Sequence, residues 1–286
     1  MTHIDLCHDS LDGLSVGDAF GAQHFVPGGI GTATGQWPWT DDTEMACSLV
    51  AELRDHQQID QDRLAGAFAE RCEPYRGYGG GAVVVLHRIR DGVPWRDAAR
   101  EAFHNQGSMG NGAAMRVAPL GAFHAGDPST AALEAMRSAE VTHAHPEAIL
   151  GAVAVAVAAA EAGWARLTRN PPASAELLDT VLAYIVDSRV RTGIERAKIV
   201  TGRAEAAYVL GNGSQVLAQD TVPFTLWVAA HHLDDYETAI TECVAAGGDV
   251  DTTAAIVGGI VAAYTGRDGV PQRWLRQREP LPAYAR

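Results

Sequence analysis

Apolar residues recur three and four positions apart along most of the chain, which is the spacing of one face of an α-helix. The residues between them are mostly helix formers, especially Ala, Leu, Glu and Arg. Apolar runs at 79–85 and 153–157 contain some β-branched residues, but their Ala-rich surroundings favour buried helix. The pattern therefore predicts an all-α protein. Helices are expected near residues 5–22, 43–54, 60–71, 80–91, 95–103, 112–124, 129–141, 146–163, 174–188, 191–208, 221–231, 235–245 and 252–264.

The predicted helices are separated by short glycine-rich breaks, which begin near Pro27, Tyr75, Asn105, Gly211 and Ala246. These breaks are too short to be interdomain linkers, and no repeat, charge block or Pro/Ser-rich stretch divides the chain. We therefore expect residues 1–286 to form one domain.

Composition excludes several classes of protein. The chain has 35 acidic and 22 basic side chains and a formal net charge of -13, so nucleic acid is not its expected main partner, because phosphate binding needs a basic surface. The acidic N-terminal residues do not resemble a secretory signal, and the longest apolar run, 148–160, is too short to span a bilayer. The four cysteines show no pairing pattern. We expect a cytoplasmic protein that does not bind membranes.

Two clusters of carboxylates stand about two hundred positions apart, each just before an apolar helical run. The first contains Asp41 and Asp42 after Thr40, and the second contains Asp249 and Asp251 before Thr252. Helix capping explains one residue of each cluster. Converging carboxylates would also suit two Mg²⁺ or Mn²⁺ ions, which prefer oxygen ligands. Spacing alone leaves both interpretations open.

Glycine-rich loops add a second kind of candidate chemistry. The segment 110–116 opens a predicted helix, where exposed N–H groups favour anions. The segment 75–80 adds aromatic rings, the guanidinium of Arg76 and close backbone approach. Together with a metal centre, these loops indicate a phosphate-bearing substrate, although a glycine loop without a ligand remains the alternative for each.

These motifs together resemble the ADP-ribosylglycohydrolase family over nearly the whole chain. The matching segments are 13–21, 39–43, 76–79, 110–116 with 118–119, 142–143 with 145–146, 247–252 and 269–275. The resemblance implies a single-domain orthogonal helical bundle with a dinuclear Mg²⁺ or Mn²⁺ centre in a cleft. The implied metal ligands are Thr40, Asp41, Asp42, Asp249, Asp251 and Thr252, of which Asp41 and Asp42 would also steer the attacking water. The implied substrate contacts are Tyr78, Gly79, Gly110, Asn111, Gly112, Ala113 and His143.

One position departs from the family pattern. Relatives usually have a glutamate four residues after Gly21, where this chain has Phe25. The resemblance implies a hydrolase that releases ADP-ribose from a modified protein side chain of the arginine or serine type. The missing carboxylate keeps two alternatives open: a hydrolase of the same fold that acts on a small nucleotide-derived metabolite, and a non-catalytic module that binds ADP-ribose.

Overall fold

Helices dominate the computed structural model, which describes residues 1–25 and 35–286. Over these ranges the chain forms fifteen α-helices, four single-turn 3-10 helices and no β-strand beyond two isolated bridges. The α-helices are α1 (His3–Ala22), α2 (Asp41–His56), α3 (Gln61–Arg71), α4 (Gly80–Arg90), α5 (Trp95–Asn105), α6 (Ala118–Phe123), α7 (Pro128–Glu140), α8 (Pro146–Thr168), α9 (Ser174–Leu182), α10 (Arg189–Ala197), α11 (Arg203–Leu210), α12 (Ala218–His231), α13 (Tyr236–Ala246), α14 (Val250–Thr265) and α15 (Gln272–Gln277). The prediction of an all-α fold is confirmed.

The helix predicted over 112–124 is present but begins later than expected. The structure has a 3-10 turn at Asn111–Ala113, and α6 begins only at Ala118. Pro119 explains the difference, because proline has no N–H to donate and its ring collides with the carbonyl four residues earlier, whereas it is tolerated in the first turn of a helix.

Two further boundaries differ from the predictions, and one helix was not predicted. The helix expected over 191–208 is divided into α10 and α11, since β-branched Val200 and Thr201 precede Gly202, the N-cap residue of α11. The helix expected over 174–188 ends at Leu182, and the side chain of Ser188 instead accepts a hydrogen bond at the start of α10. The short helix α15, which follows Pro271, was not predicted.

Helices α1 and α14 pack unusually closely because glycines stand where they cross. Gly13 lies against Gly258 and Ala262, Gly17 against Ala254, and Gly21 against Val250 and Asp251. The numbers rise along α1 as they fall along α14, so the two helices are antiparallel. A Cβ at Gly17 would lie only 2.1 Å from the carbonyl oxygen of Ala254. This packing places the C-terminal half of α1 beside the first turn of α14.

Helix α8 forms much of the remaining core. It is rich in Ala and Val, is buried along most of its length, and contacts α6, α7, α12 and α14. By length and composition alone it could cross a membrane, but 78% of its most apolar stretch is buried inside the protein. Its small side chains let neighbouring helices approach closely, which accounts for the low aromatic content of the chain.

Candidate metal centre

Carboxylates from three helices meet where α1, α2 and α14 come together. Asp18 of α1, Asp42 of α2 and Asp251 of α14 are all buried, and each offers an oxygen within 4.8 Å of the others. Asp41 and Asp249 are close enough for their charges to act on this cluster. Such a concentration of acids away from water is costly unless protons or cations neutralise it.

Helix capping does not account for the first carboxylate cluster. Thr40 is the N-cap residue of α2, but its side chain accepts no capping hydrogen bond. The carboxylate of Asp18 takes that place from the neighbouring helix, accepting hydrogen bonds from the backbone N–H groups of Thr40, at 2.9 Å, and Thr43, at 3.2 Å. The hydroxyl of Thr43 donates a further bond to Asp18, at 2.5 Å. Asp18 therefore caps α2 in trans.

The second cluster departs from capping in the same way. Asp249 is the N-cap residue of α14, yet its side chain accepts no capping hydrogen bond. Instead, its Oδ2 accepts a hydrogen bond from Nδ2 of Asn111, at 2.7 Å. Of the two interpretations left open by the sequence, capping by these side chains is therefore not supported.

Inside the cluster, one acceptor oxygen has no hydrogen-bond partner in the described part of the chain, and another shares its only donor. Thr40 Oγ1 lies 2.9 Å from both Asp18 Oδ1 and Asp42 Oδ2, but a hydroxyl has only one proton to donate. The second oxygen of Asp42, Oδ1, is buried and has no hydrogen-bond partner among the described residues. A buried carboxylate oxygen of this kind is expected where an ion completes its contacts. The residues present, carboxylates with a hydroxyl, fit a hard divalent cation.

The electrostatics of the cluster agree with this chemistry. Burial first, and neighbouring carboxylates second, raise the pKa values of Asp42 and Asp251 well above their usual range. The same causes raise the pKa of Asp41 to about 7. Burial raises the pKa of Asp18 to about 6, although its hydrogen bonds from Thr43 and Thr40 oppose that rise. All four shifts have the sign expected for acids that lack a counter-ion.

A cavity of about 760 Å³ opens beside the carboxylates. Its volume lies within the range of small-molecule binding sites. Asp41, Asp42, Asp249, Asp251 and Thr252 line one part of it. Thr40 is not in its wall and lies behind, against Asp18 and Asp42.

Most of the substrate contacts implied by the resemblance also line this cavity. They are Gly79, Gly110, Asn111, Gly112 and His143. Two others do not reach it. Ala113 is fully buried within the 3-10 turn, and Tyr78 points its hydroxyl at Glu44 Oε2, to which it donates a hydrogen bond at 2.7 Å. The same Glu44 oxygen accepts the N–H of Glu73, so the loop that carries Gly79 is fastened to the first turn of α2.

His143 and Asn111 connect the glycine turn to its surroundings. The ring of His143 packs against the turn so closely that a Cβ at Gly112 would lie 3.0 Å from its Cε1. Burial and the nearby Arg116 lower the pKa of His143 to about 3, so the ring is neutral. Asn111 donates to Thr221 as well as to Asp249, which links the turn to the carboxylates.

Arg76 does not serve as an anion ligand in this arrangement. Its guanidinium forms a bidentate ion pair with Glu279, at 2.7 and 2.9 Å, and donates to the carbonyl of Trp39. It also lies 3.4 Å above the centre of the Trp39 ring. Arg76 therefore supports the segment that leads into α2.

Sequence reasoning assigned no role to several residues that the structure brings to the site. Asp18 is the most important. It lies in the segment 13–21 that resembles the family and is a carboxylate among the small, apolar residues of α1, but neither signal was used to assign it a role. Phe103 and His104 also line the cavity. They lie at the end of α5, where the backbone leaves the right-handed helix for left-handed dihedral angles that no sequence pattern indicated.

The position that departs from the family pattern lies just beyond α1. The side chain of Phe25 is 50% exposed. As an aromatic residue it supplies no carboxylate to the cluster. The glycine-rich break that begins at Pro27 lies largely outside the described residues.

Comparisons with known proteins agree over nearly the whole chain. Residues 2–285 match the family model described as ADP-ribosylglycohydrolase. The Homo sapiens protein named ADP-ribosylhydrolase ARH3 is 30% identical over 307 residues, covering 95% of this chain and 83% of that protein. An uncharacterised protein of Archaeoglobus fulgidus is 30% identical over 288 residues, covering 92% of this chain and 88% of the relative.

A solved structure described as an ADP-ribosylglycohydrolase-related protein complex superposes with a TM-score of 0.70 at 27% identity, covering 97% of this chain and 93% of that one. The helical architecture, the match over almost every residue and the extent of these similarities lead to one conclusion. The chain belongs to the ADP-ribosylglycohydrolase family.

Proposed function

We propose that the protein is a metal-dependent hydrolase that cleaves the glycosidic bond between ADP-ribose and a modified protein side chain of the arginine or serine type. The observation that carries the proposal is the buried group of Asp18, Asp42 and Asp251, with one orphaned Asp42 oxygen, beside a cavity of about 760 Å³ whose wall includes Asp42 and Asp251. Family membership and relatives named as ADP-ribosylhydrolases support ADP-ribose as the group released.

In this proposal two Mg²⁺ or Mn²⁺ ions are the cofactors. Their ligands would be Thr40, Asp41, Asp42, Asp249, Asp251 and Thr252. Divalent ions held there would neutralise the carboxylates and supply Lewis acidity beside the scissile bond.

The chain's own groups would bind and orient the reactants. A glycosidic bond breaks through a transition state with positive charge at the anomeric carbon, which nearby carboxylates stabilise. Asp41 lies in the cavity wall, where its carboxylate can orient the attacking water. Asp42 also reaches the wall and carries the orphaned oxygen. Gly79 and the 110–112 turn leave room for the substrate to approach the backbone.

A hydrolase of the same fold that acts on a small nucleotide-derived metabolite is the second candidate. Phe25 favours it, because the chain lacks the carboxylate that relatives usually have at that position. The formal charge of -13 also favours this candidate, because a negatively charged protein repels acidic protein partners.

The test is release of ADP-ribose by protein stripped of metal and then reloaded with Mg²⁺ or Mn²⁺. The substrates would be an ADP-ribosyl-arginine peptide, an ADP-ribosyl-serine peptide and a panel of nucleotides. We expect Asp42→Asn to lower metal-dependent release by more than about 100-fold, since even residues that only support metal ligands are worth about 10- to 100-fold. The exposed Asp187→Asn, which makes the same chemical change, is the matched control.

The outcomes separate the alternatives. Full activity of Asp42→Asn, or of the wild-type protein after thorough chelation, would contradict the metal-dependent mechanism. Release from nucleotides alone would favour the second candidate. Binding of ADP-ribose without turnover of any linkage would indicate a binding module.

A further inference from the structure

Arg116 is a buried cation without an acidic partner. Its side chain is fully buried, and no carboxylate of the described residues forms an ion pair with it. Its guanidinium donates to the carbonyl of Ser138, at 2.8 Å, and to Thr142 Oγ1, at 3.0 Å. It also donates to the carbonyl of Gly112, at 3.3 Å, and lies 4.5 Å above the centre of the Phe68 ring. Burying a charge without an opposite charge beside it is costly, so the position of Arg116 calls for an explanation.

The contact with Thr142 has a consequence for the neighbouring histidine. Thr142 Oγ1 lies 2.8 Å from Nδ1 of His143. Arg116 has no acceptor atom, so in the Arg116 contact Thr142 can only accept. The hydroxyl proton of Thr142 then needs an acceptor of its own. Among the described residues, the acceptor in contact with Thr142 Oγ1 is His143 Nδ1. With Nδ1 accepting, the single proton of the neutral ring must be on Nε2.

The other nitrogen of His143 is turned toward the cavity. Nε2 lies 3.1 Å from where a Cβ of Gly112 would be and 3.5 Å from where one of Gly110 would be. No described residue forms a hydrogen bond with Nε2, yet this atom is not completely enclosed by the protein. His143 lines the cavity wall with both glycines. Nε2 is thus the polar atom of this ring that a ligand can reach.

We propose that Arg116 is a positioning residue, which acts through Thr142 to keep the proton of His143 on Nε2, so that the ring donates a hydrogen bond to an oxygen of the bound ligand. The identity of that ligand as ADP-ribose rests on the proposed function. The same guanidinium also donates to the carbonyl of Gly112, so Arg116 holds the turn against which the ring packs. A neutral donor at this place can bind an oxygen of the ligand.

The first test is the protonation state of the histidine ring in the ligand-free protein. Long-range proton–nitrogen NMR spectra of protein with ¹⁵N-labelled histidine distinguish the two neutral forms, and loss of signals in His143→Gln assigns the residue. We expect the Nε2-protonated form in the wild-type protein and in Thr142→Ser, which keeps the hydroxyl. Thr142→Val keeps the shape but cannot donate to Nδ1, so we expect the Nδ1-protonated form to become populated.

The second test is the affinity for ADP-ribose, measured by calorimetry with the same variants. We expect Thr142→Val to weaken binding by about threefold to tenfold, the range for one hydrogen bond, and Thr142→Ser to restore it. Thermal unfolding of both variants checks that they fold. Thr142 is buried as Arg116 is, but these substitutions change one small group, whereas replacing Arg116 would alter a large buried side chain.

An Nδ1-protonated or charged ring in the wild-type protein would overturn the proposal. So would identical spectra and affinities for Thr142→Val and Thr142→Ser. If the wild-type protein failed to bind ADP-ribose, the proposed ligand would be wrong, whereas the NMR result would still decide whether the hydroxyl of Thr142 keeps the proton of His143 on Nε2.

Discussion

Replacing Gly17 by alanine should separate the helices that carry the carboxylates. A Cβ at Gly17 would lie 2.1 Å from the carbonyl oxygen of Ala254 and 2.7 Å from its carbonyl carbon. Ordinary contact begins at 3.4 Å, so the closest approach is short by more than 1 Å. The obstacle is helix backbone, which cannot rotate away as a side chain can. Helices α1 and α14 must therefore move apart.

The expected cost follows from this shortfall. Overpacking a well-filled core costs about 1 to 3 kcal/mol, and a collision with backbone belongs at the upper end. Alanine recovers up to about 1 kcal/mol because it is the better helix former, which leaves a loss of about 2 kcal/mol. For a chain of 286 residues that loss lowers Tm by about 3 °C.

Gly66 provides a matched control. It is exposed within α3, and a Cβ there would meet nothing within 4 Å. The same substitution, Gly66→Ala, should therefore raise stability by about 0.5 to 1 kcal/mol. Scanning calorimetry of the metal-free proteins measures both variants, and Mg²⁺ titration then measures cation affinity. We expect Gly17→Ala to bind the cation more weakly, because Asp18 is the next residue and moves with α1.

Two results would refute this reasoning. If Gly17→Ala were as stable as Gly66→Ala, the close approach of α1 to α14 would be wrong. If Gly17→Ala were destabilised but bound Mg²⁺ as tightly as the wild-type protein, helix spacing would not control the carboxylate cluster.

Three further predictions concern the site. The pKa of Asp41 is about 7 in the folded protein, above its usual value of 3.8, so the folded protein binds more protons than the unfolded one. The free energy of unfolding of metal-free protein should therefore fall as pH rises from about 4 to about 7. A Tm that increases over this range would contradict the prediction. Tyr78→Phe removes the hydrogen bond to Glu44 and should cost about 1 kcal/mol by denaturant unfolding, with a lower affinity for ADP-ribose because the loop before Gly79 loosens; an unchanged stability would refute the anchoring role. Thr43→Val removes the hydroxyl that donates to the buried Asp18 and should cost about 1 to 3 kcal/mol, which Thr43→Ser should largely restore. Equal Tm values for the two variants would argue against a stabilising role for this hydroxyl bond.

Most of the helices could be predicted because their apolar spacing is a local property. The errors arose where one residue changes the backbone, as Pro119 does before α6 and Gly202 does between α10 and α11. Helix formers surround both positions, so the periodic pattern continues through them. The break before α6 matters for the site, because it produces the turn that carries Asn111 and Gly112 into the cavity wall.

The candidate site was partly predictable for a different reason. Asp41, Asp42, Asp249 and Asp251 could be singled out because paired carboxylates before apolar helices are conspicuous in a sequence. Tyr78 illustrates the limit, since its side chain belongs to the same loop as Gly79 but turns toward Glu44. The direction of a side chain depends on its partners in space, and these do not follow from the residues beside it.

Asp18 shows why the chemistry of the first cluster depends on distant packing. Nothing near Asp18 in the sequence indicates a partner, because the residues it binds, Thr40 and Thr43, belong to another helix. By accepting the N–H groups at the start of α2, Asp18 takes over the capping role that Thr40 would otherwise fill. The hydroxyl of Thr40 is then free to lie against Asp42 inside the cluster. Considered within α2 alone, the hydroxyl of Thr40 could either cap the helix or face the carboxylate cluster. Because α1 supplies the cap through Asp18, the hydroxyl can face the cluster without leaving the start of α2 uncapped.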